Sequence, residues 1–398
     1  MRATNQRDRH VISNCPIDCK ALNRRVKHSL KQHRGRACAS AEAEGAQATQ
    51  KTTHVMSQAE FDQILENKAK QFFEVFNSPP KNTASWDDFT RIRTLGRGAF
   101  GRVLLVRYKN TDQFYAMKVL SKLEIVKSRQ IDNAIMEKRI LAACNIKQVI
   151  KLAYSFKDNS YLYMVTEFVI GGEMFGLLRN MRRFPDGMVK FYAAQVLLAF
   201  EYLHYLTIAY RDLKPENILI TGEGFIKVAD LGFAKLIPKD KRTWTLCGTP
   251  DYMAPEIIMN KGYSHAVDWW AYGVLLYEMT TGFPPFMHQE QMKTFEHIIS
   301  GKVKFTNQFG PDLKDLIKNL IQTDLSRRYG NLRNGIMDVK NHAYFSDVDF
   351  MAVYKQSVRP PYVPKVKSPG DASNFEKWEE EKLKIADREK FKAEFEDF

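Results

Sequence analysis

The stretch Tyr210-Arg211-Asp212-Leu213-Lys214-Pro215-Glu216-Asn217 decides the fold of this 398-residue chain. It places a lysine two residues after an acid and an asparagine five residues after that acid. Asp230-Leu231-Gly232 follows on a short predicted strand, and Ala254-Pro255-Glu256 lies further along the chain. Any one of these motifs could occur by chance, so their interpretation depends on the residues that precede them.

A glycine-rich loop, Gly96-Arg97-Gly98-Ala99-Phe100-Gly101, lies upstream. In a dinucleotide-binding fold such a loop joins a strand to a helix, whereas here a strand is predicted directly after it. A hairpin that folds over nucleotide phosphates fits better, because glycine lets the backbone approach closely. The next strand carries Lys118, whose ammonium can reach phosphate oxygens, and Glu137 on a predicted helix is its natural counter-ion.

In their order and spacing, these five motifs resemble the protein-kinase signature set. The resemblance to eukaryotic protein kinases covers residues 89–345. The segments 171–175, 241–250 and 395–398 narrow it to the family of cyclic-AMP-dependent catalytic subunits in the AGC group, over residues 57–398. It implies an α+β, bilobal kinase fold, with a small β-rich lobe that holds one prominent helix and a larger helical lobe.

Composition and apolar spacing divide the chain into four segments. Residues 1–55 are basic and then small and polar, without aromatic residues, so we expect disorder there. Residues 56–88 should hold an amphipathic helix and a linker, with Ser57 and Glu60 as a capping box and the helix end near Asn77. The kinase domain is 89–345, with lobes 89–168 and 169–345, and residues 346–398 form a Pro-rich, extended AGC-type tail.

The resemblance implies a role for each motif residue. Lys118, oriented by Glu137, would hold the α- and β-phosphates of ATP. Asp212 would accept the proton of a substrate Ser or Thr hydroxyl, and Lys214 would contact the γ-phosphate. Asp230 and Asn217 would each bind Mg²⁺. The residues expected to enclose ATP are Leu95, Gly96, Gly98, Phe100, Gly101, Val103, Ala116, Glu167, Val169 and Leu219.

Regulation and substrate choice follow from the same resemblance. Thr245 would be phosphorylated in the activation segment and would pair with Arg211 and Lys235. Carboxylates suit guanidinium groups, so the expected target is Arg-Arg-x-Ser/Thr-hydrophobic. Its arginines would bind Glu173, Glu216 and Glu278, and its apolar residue would bind Leu246, Pro250 and Met253.

Some residues bear on partners or depart from the family pattern. Trp244 favours binding of a cyclic-AMP-binding regulatory subunit, although Phe295 replaces a Tyr that helps to dock it. Phe395 and Phe398 should anchor the tail on the small lobe, and they could recruit an upstream kinase. Leu231 replaces the usual Phe, and we expect it to stack with Leu141, Leu152 and Tyr210. Asn133 replaces a His that reaches the activation-segment phosphate.

Charge leaves two further hypotheses open. The net charge is +14, and residues 1–36 carry ten Lys/Arg against two Asp. A nucleic-acid-binding arm is therefore an alternative, although charge runs are usually only solvated. A zinc site of Cys15, Cys19, His28 and His33 is disfavoured by its short central spacing.

A pseudokinase scaffold is the third alternative, and the complete set of catalytic residues argues against it. The chain has no apolar run long enough to span a membrane and few cysteines. We therefore expect a cytoplasmic chain, with nuclear entry as an alternative.

Overall fold

The computed structural model describes residues 47–79 and 84–398, with side chains from Gln58 onward. Helix α1 (Gln47–Asn77) begins ten residues before Ser57. Ser57 therefore lies inside the helix, and the predicted capping box with Glu60 is wrong. Residues 47–55, expected to be disordered, are helical, because extending an existing helix avoids the cost of nucleation. Residues 1–46, with the hypothetical zinc ligands Cys15, Cys19, His28 and His33, lie outside the described residues.

Five antiparallel strands form the small lobe, in the spatial order β1-β2-β3-β5-β4. They are β1 (Phe89–Gly98), β2 (Gly101–Tyr108), β3 (Phe114–Ser121), β4 (Leu152–Lys157) and β5 (Tyr161–Glu167). Helices α2 (Lys122–Lys127) and α3 (Ile131–Ala143) lie between β3 and β4 in the chain. Apolar spacing in the sequence predicts a helix over Ile131–Ala143, and α3 has these bounds.

Helices dominate the large lobe. They are α4 (Met174–Met181), α5 (Asp186–Tyr205), α6 (Pro255–Ile258), α7 (Ala266–Thr281), α8 (Gln291–Ser300), α9 (Pro311–Leu320), α10 (Met337–Lys340) and α11 (Phe350–Lys355). Two small antiparallel sheets pair β6 (Ile208–Ala209) with β9 (Lys235–Leu236) and β7 (Ile218–Ile220) with β8 (Ile226–Val228). Every residue of α7 is buried, so this helix is the centre of the large lobe.

One apolar cluster contains residues of both lobes. Leu231 is fully buried in it together with Leu141 and Tyr210, and Leu152 packs against it. The leucine that replaces the usual Phe therefore still fills the interior between the lobes. The residues expected to stack with Leu231 therefore lie in or against the same cluster.

Buried carboxylates fix the loops of the large lobe. Asp268 on α7 is fully buried and accepts hydrogen bonds from the backbone N–H groups of Tyr210 at 2.9 Å and Arg211 at 2.8 Å. His204 Nε2 lies 2.7 Å from the same carboxylate. Glu256 forms a buried ion pair with Arg328 through two contacts of 2.6 and 2.9 Å. These pairs hold the segments on both sides of the activation segment.

The tail runs from the large lobe back to the small one. Lys157 on β4 donates to the Phe395 carbonyl, and the Phe395 side chain is fully buried. The ammonium of Lys138 on α3 lies 4.9 Å from the centre of the Phe398 ring. The expected aromatic anchor on the small lobe is confirmed.

Among the described residues, none of the helices is both long enough and apolar enough to cross a bilayer.

Candidate active site

The glycine-rich loop is the turn of a hairpin, as the sequence predicts. Strands β1 and β2 pair down to Gly98 opposite Gly101. A Cβ atom on Gly101 would lie 1.8 Å from the Val119 carbonyl oxygen, so only glycine fits there. A Cβ on Gly96 or Gly98 would meet no atom within 4 Å. The tip of the hairpin therefore leaves open space on one face, which a phosphate group can occupy.

One ammonium group lies between two carboxylates below this hairpin. Lys118 Nζ in the middle of β3 is 2.6 Å from Glu137 Oε1 on α3 and 2.9 Å from Asp230 Oδ1. Burial disfavours the charged lysine, but Asp230 and Glu137 outweigh it and raise the pKa of Lys118. The same ammonium lowers the pKa of Asp230. A cation and an ionised acid are thus held side by side, as phosphate and metal binding require.

Asp212, the predicted proton acceptor, is buried and held by three side chains. Asn217 Nδ2 and Thr249 Oγ1 each donate to its carboxylate at 2.9 Å. Lys214 Nζ is 3.0 Å from Asp212 Oδ2 and donates to Thr249 Oγ1 at 2.9 Å. Three donors therefore fix the orientation of the carboxylate. Such an acid can accept a proton from a hydroxyl placed next to it.

Strained backbone brings these groups to the site. Arg211 has φ +70° and Asp230 has φ +50°, a region uncommon for residues other than glycine. This backbone conformation costs about 1–3 kcal/mol of folding free energy per residue, and it persists only where neighbouring groups enforce it. For Arg211 the enforcing group is Asp268, and for Asp230 it is Lys118.

The hairpin of β7 and β8 brings together Asn217 and Asp230, the two residues predicted to bind metal. Strand β7 pairs with β8 so that Ile218 lies opposite Val228. The Ala229 N–H then donates to the Asn217 carbonyl at 2.8 Å, which places Asp230 next to Asn217. An ionised carboxylate and an amide oxygen are ligands that Mg²⁺ accepts in phosphate sites. These donors therefore fit magnesium.

Apolar residues of both lobes and the tail line the predicted adenine site. Leu95 and Val169 are buried, and Val103, Ala116 and Leu219 are partly buried. From the tail, Ala372 packs with Leu95, and the Phe375 ring stacks on Phe168 at 5.6 Å between centroids. The Glu167 carboxylate instead binds Lys227 Nζ at 2.9 Å. Any contact of Glu167 with a nucleotide would therefore come from its backbone.

Three acids lie together beside the catalytic loop. Burial raises the pKa of Glu278 to about 7, with Tyr252 donating to its carboxylate and Glu216 adding repulsion. Partial burial and the carboxylates of Glu216 and Glu376 raise the pKa of Glu173. Because Glu216 acts on both neighbours, the three carboxylates form one negative site. Cations would relieve this repulsion.

The predicted apolar pocket is only partly closed. The side chain of Leu246 is 68% exposed, whereas Met253 is buried and Pro250 is half-buried. Leu246 thus presents apolar surface to a partner from the outside of the loop.

The activation segment gathers cations near an exposed threonine. Lys235 Nζ donates to Thr243 Oγ1 at 3.1 Å, and Thr243 Oγ1 is 3.4 Å from Thr245 Oγ1. Burial and the charge of Arg211 lower the pKa of Lys235. Arg211 itself donates to the Phe233 carbonyl and the Tyr263 hydroxyl. Two neighbouring cations are therefore held by neutral groups beside Thr245.

Asn133 makes a different contact from the one its position in the family pattern suggests. Its amide donates to Gln130 at the start of α3. This hydrogen bond ties Asn133 to the start of its own helix.

Comparison with known proteins assigns this site. The family described as "Protein kinase domain" matches residues 89–345. The chain is 47% identical over 300 residues to cAMP-dependent protein kinase type 3 of Saccharomyces cerevisiae, covering 75% of each chain. It belongs to the protein kinase family, among the cAMP-dependent catalytic subunits. The kinase is also 45% identical over 303 residues to the human cAMP-dependent protein kinase catalytic subunit PRKX, covering 76% of this chain and 84% of that protein. It is 46% identical over 300 residues to cAMP-dependent protein kinase catalytic subunit 3 of Drosophila melanogaster. That match covers 75% of this chain and 51% of the Drosophila protein.

Sequence reasoning missed three residues of this kinase site. Thr249 lies in the activation segment 241–250, but the sequence suggested no role for it. The sequence around Asp268 indicated its role only in one way: it is an acid within an apolar helix, where a buried carboxylate must have partners. Phe375 lies in the tail, and only the fold shows that it reaches Phe168.

We expect Asp212→Asn to lower turnover by at least about a hundredfold, because a positioned base commonly contributes about 10²–10⁴. Lys118→Met should do the same by removing the charge between Glu137 and Asp230. Steady-state kinetics on folded protein is the measurement, and Asp312→Asn on the exposed start of α9 is the control. Near-normal turnover of either site variant would contradict the assigned roles.

Proposed function

We propose that this kinase transfers the γ-phosphate of ATP, with Mg²⁺, to Ser or Thr in proteins that carry Arg-Arg-x-Ser/Thr-hydrophobic sequences. The observation that carries the proposal is the buried Asp212 carboxylate, bound by Asn217, Lys214 and Thr249 at 2.9–3.0 Å. A base held in this way, next to a lysine, suits the transfer of a phosphoryl group to a hydroxyl.

In the proposed reaction each residue has a separate task. Lys118 holds phosphate oxygens, and the glycine hairpin covers them. Asp212 accepts the hydroxyl proton as the substrate oxygen bonds to the γ-phosphorus. The bond from that phosphorus to the bridging oxygen breaks, and ADP leaves with the electron pair. Lys214 offsets charge on the transferred group. Magnesium, held by Asp230 and Asn217, would supply further charge neutralisation.

The acidic site supports the proposed preference for arginine. Burial, with repulsion from Glu216, raises the pKa of both Glu173 and Glu278. Guanidinium groups of a substrate would replace this repulsion by paired charges, and a fork of N–H donors suits carboxylates. The proposal therefore places the two substrate arginines against these three acids.

Control by a cyclic-AMP-binding regulatory subunit is part of the proposal. Trp244 is 61% exposed and Leu246 is 68% exposed on the activation segment, so apolar side chains are available to a partner beside the site. The similarity to cAMP-dependent protein kinases supports cyclic-AMP control. Recruitment of an upstream kinase by Phe395 would need release of that side chain from its buried place on the small lobe. Cytoplasmic or nuclear location stays a prediction.

The proposed function is tested by phosphorylation of an Arg-Arg-x-Ser-Leu peptide with ATP and Mg²⁺, with and without a regulatory subunit. We expect turnover that the subunit suppresses and cyclic AMP restores. Turnover without suppression would remove the regulatory part of the proposal. Absence of turnover in protein phosphorylated at Thr245 would favour a scaffold instead.

Activation by phosphorylation is the second prediction. A phosphate on Thr245 should pair with Arg211 and Lys235 and order the segment, so Thr245→Ala should lower kcat/KM about tenfold or more. Mass spectrometry should find Thr245 phosphorylated in active enzyme, and Thr306→Ala in an exposed loop is the control. Full activity with an unmodified Thr245 would contradict this role.

The third prediction concerns pH. Because Glu278 has a pKa of about 7, it is largely protonated at pH 6 and ionised at pH 8, and only the carboxylate pairs with arginine. We expect kcat/KM for the Arg-Arg peptide to rise severalfold from pH 6 to 8. A peptide with alanine in place of both arginines should lack this rise. Parallel pH profiles for the two peptides would show that Glu278 does not bind arginine.

A further inference from the structure

The acidic run Glu379–Glu381 of the tail lies across the outer face of the glycine hairpin. Glu380 accepts from the Thr94 N–H at 2.5 Å and the Thr94 hydroxyl at 2.8 Å, and it pairs with Arg91. These contacts attach the tail to the middle of β1. The next residue, Glu381, reaches the end of the hairpin.

Glu381 bridges the two strands that flank the glycine turn. Its Oε1 is 2.9 Å from Arg97 Nη2 on β1, and its Oε2 is 2.5 Å from Arg102 Nη2 on β2. Arg97 also donates to the Glu379 carbonyl at 3.0 Å, and its guanidinium lies 5.9 Å from the centre of the Trp378 ring. Arg102 donates to the Glu381 carbonyl at 3.3 Å. We call Arg97, Arg102, Trp378 and Glu381 the hairpin clasp.

The tip of the hairpin has few other attachments. Its inner side is held by Phe100, whose carbonyl accepts from the Ser121 N–H at 2.9 Å. Gly96 and Gly98 have open space where side chains would lie, and glycine leaves the backbone free to move. The Phe100 side chain also packs against the main apolar core. Because these attachments are on the inner side, contacts on the outer side can decide how far the tip opens.

The clasp is too exposed to contribute much to global stability. The side chains of Arg97, Arg102 and Glu381 are 35%, 15% and 53% exposed, and exposed ion pairs contribute little to unfolding free energy. Its consequence is local, since one carboxylate joins both strands of a flexible turn. The same tail carries Phe375 against Phe168, so tail and hairpin bound one nucleotide pocket.

We propose that Glu381 is a positioning residue that holds the glycine hairpin closed over the nucleotide by bridging Arg97 and Arg102. This inference rests on the proposed binding of ATP beneath the hairpin. When the bridge is removed, the hairpin opens more often, so nucleotide binds less tightly and ADP leaves sooner. The chemistry at Asp212 is untouched, because no clasp residue contacts that cluster.

The test uses the full chain with Glu381→Gln, which keeps the shape of the side chain and removes its charge. The matched control is Glu379→Gln, in the same acidic run, where only the backbone carbonyl contacts Arg97. Isothermal titration measures the Kd for ADP, steady-state kinetics measures KM for ATP and kcat, and a thermal melt measures stability. Arg97→Met and Arg97→Lys examine the other side of the bridge.

We expect Glu381→Gln and Arg97→Met to raise Kd for ADP and KM for ATP about three- to tenfold each, with kcat unchanged or up to about twofold higher. Arg97→Lys should lie between Arg97→Met and the wild type, and Glu379→Gln should match the wild type. Raising the salt concentration should weaken ADP binding more in the wild type than in Glu381→Gln, because salt screens the bridge. The melting temperature should change little.

Several results would overturn the inference. An effect of Arg97→Met without an effect of Glu381→Gln would mean that Arg97 contacts the nucleotide directly. Equal effects of Glu379→Gln and Glu381→Gln would mean that only the total charge of the tail matters. A fall in kcat with a lower melting temperature would indicate a purely structural role. A wild-type chain that binds no ADP would refute the proposed function itself, and the inference with it.

Discussion

The geometry of the catalytic loop depends on the buried carboxylate of Asp268. A charge without access to water must be paired and hydrogen-bonded, and the loop supplies its partners through the N–H groups of Tyr210 and Arg211. That demand holds Arg211 at φ +70°, and Asp212 follows directly. The strain in the loop is therefore offset by satisfying an acid in the most buried helix of the large lobe.

A second dependence joins the two lobes. Lys118 belongs to the small-lobe sheet, whereas Asp230 belongs to the large lobe, and the two side chains are 2.9 Å apart. Leu231, one residue later, is buried in the apolar cluster shared with Leu141 of α3. A polar contact and an apolar one on adjacent residues thus hold the lobes in register. This register brings the glycine hairpin over the catalytic loop.

Two of the three charged surfaces carry charges that a proposed partner would neutralise. Glu173, Glu216 and Glu278 repel each other until cations arrive, and Arg211 and Lys235 lie beside an uncharged threonine. The tail works in the opposite sense, since its acids already neutralise the arginines of the hairpin. The first two surfaces are poised for partners, while the third is closed within the chain.

Order and spacing along the chain were sufficient for the family, for the glycine hairpin and for the bounds of α3, because these depend on local patterns of glycine and apolar residues. Local pattern failed at α1, where a plausible cap at Ser57 lay inside a longer helix. Thr249, Asp268, Phe375 and Glu381 required the tertiary structure. Each acts on residues that are distant in sequence, from 37 positions for Thr249 and Asp212 to 284 for Glu381 and Arg97. Pairings over such distances arise only when burial and chain topology bring the segments together.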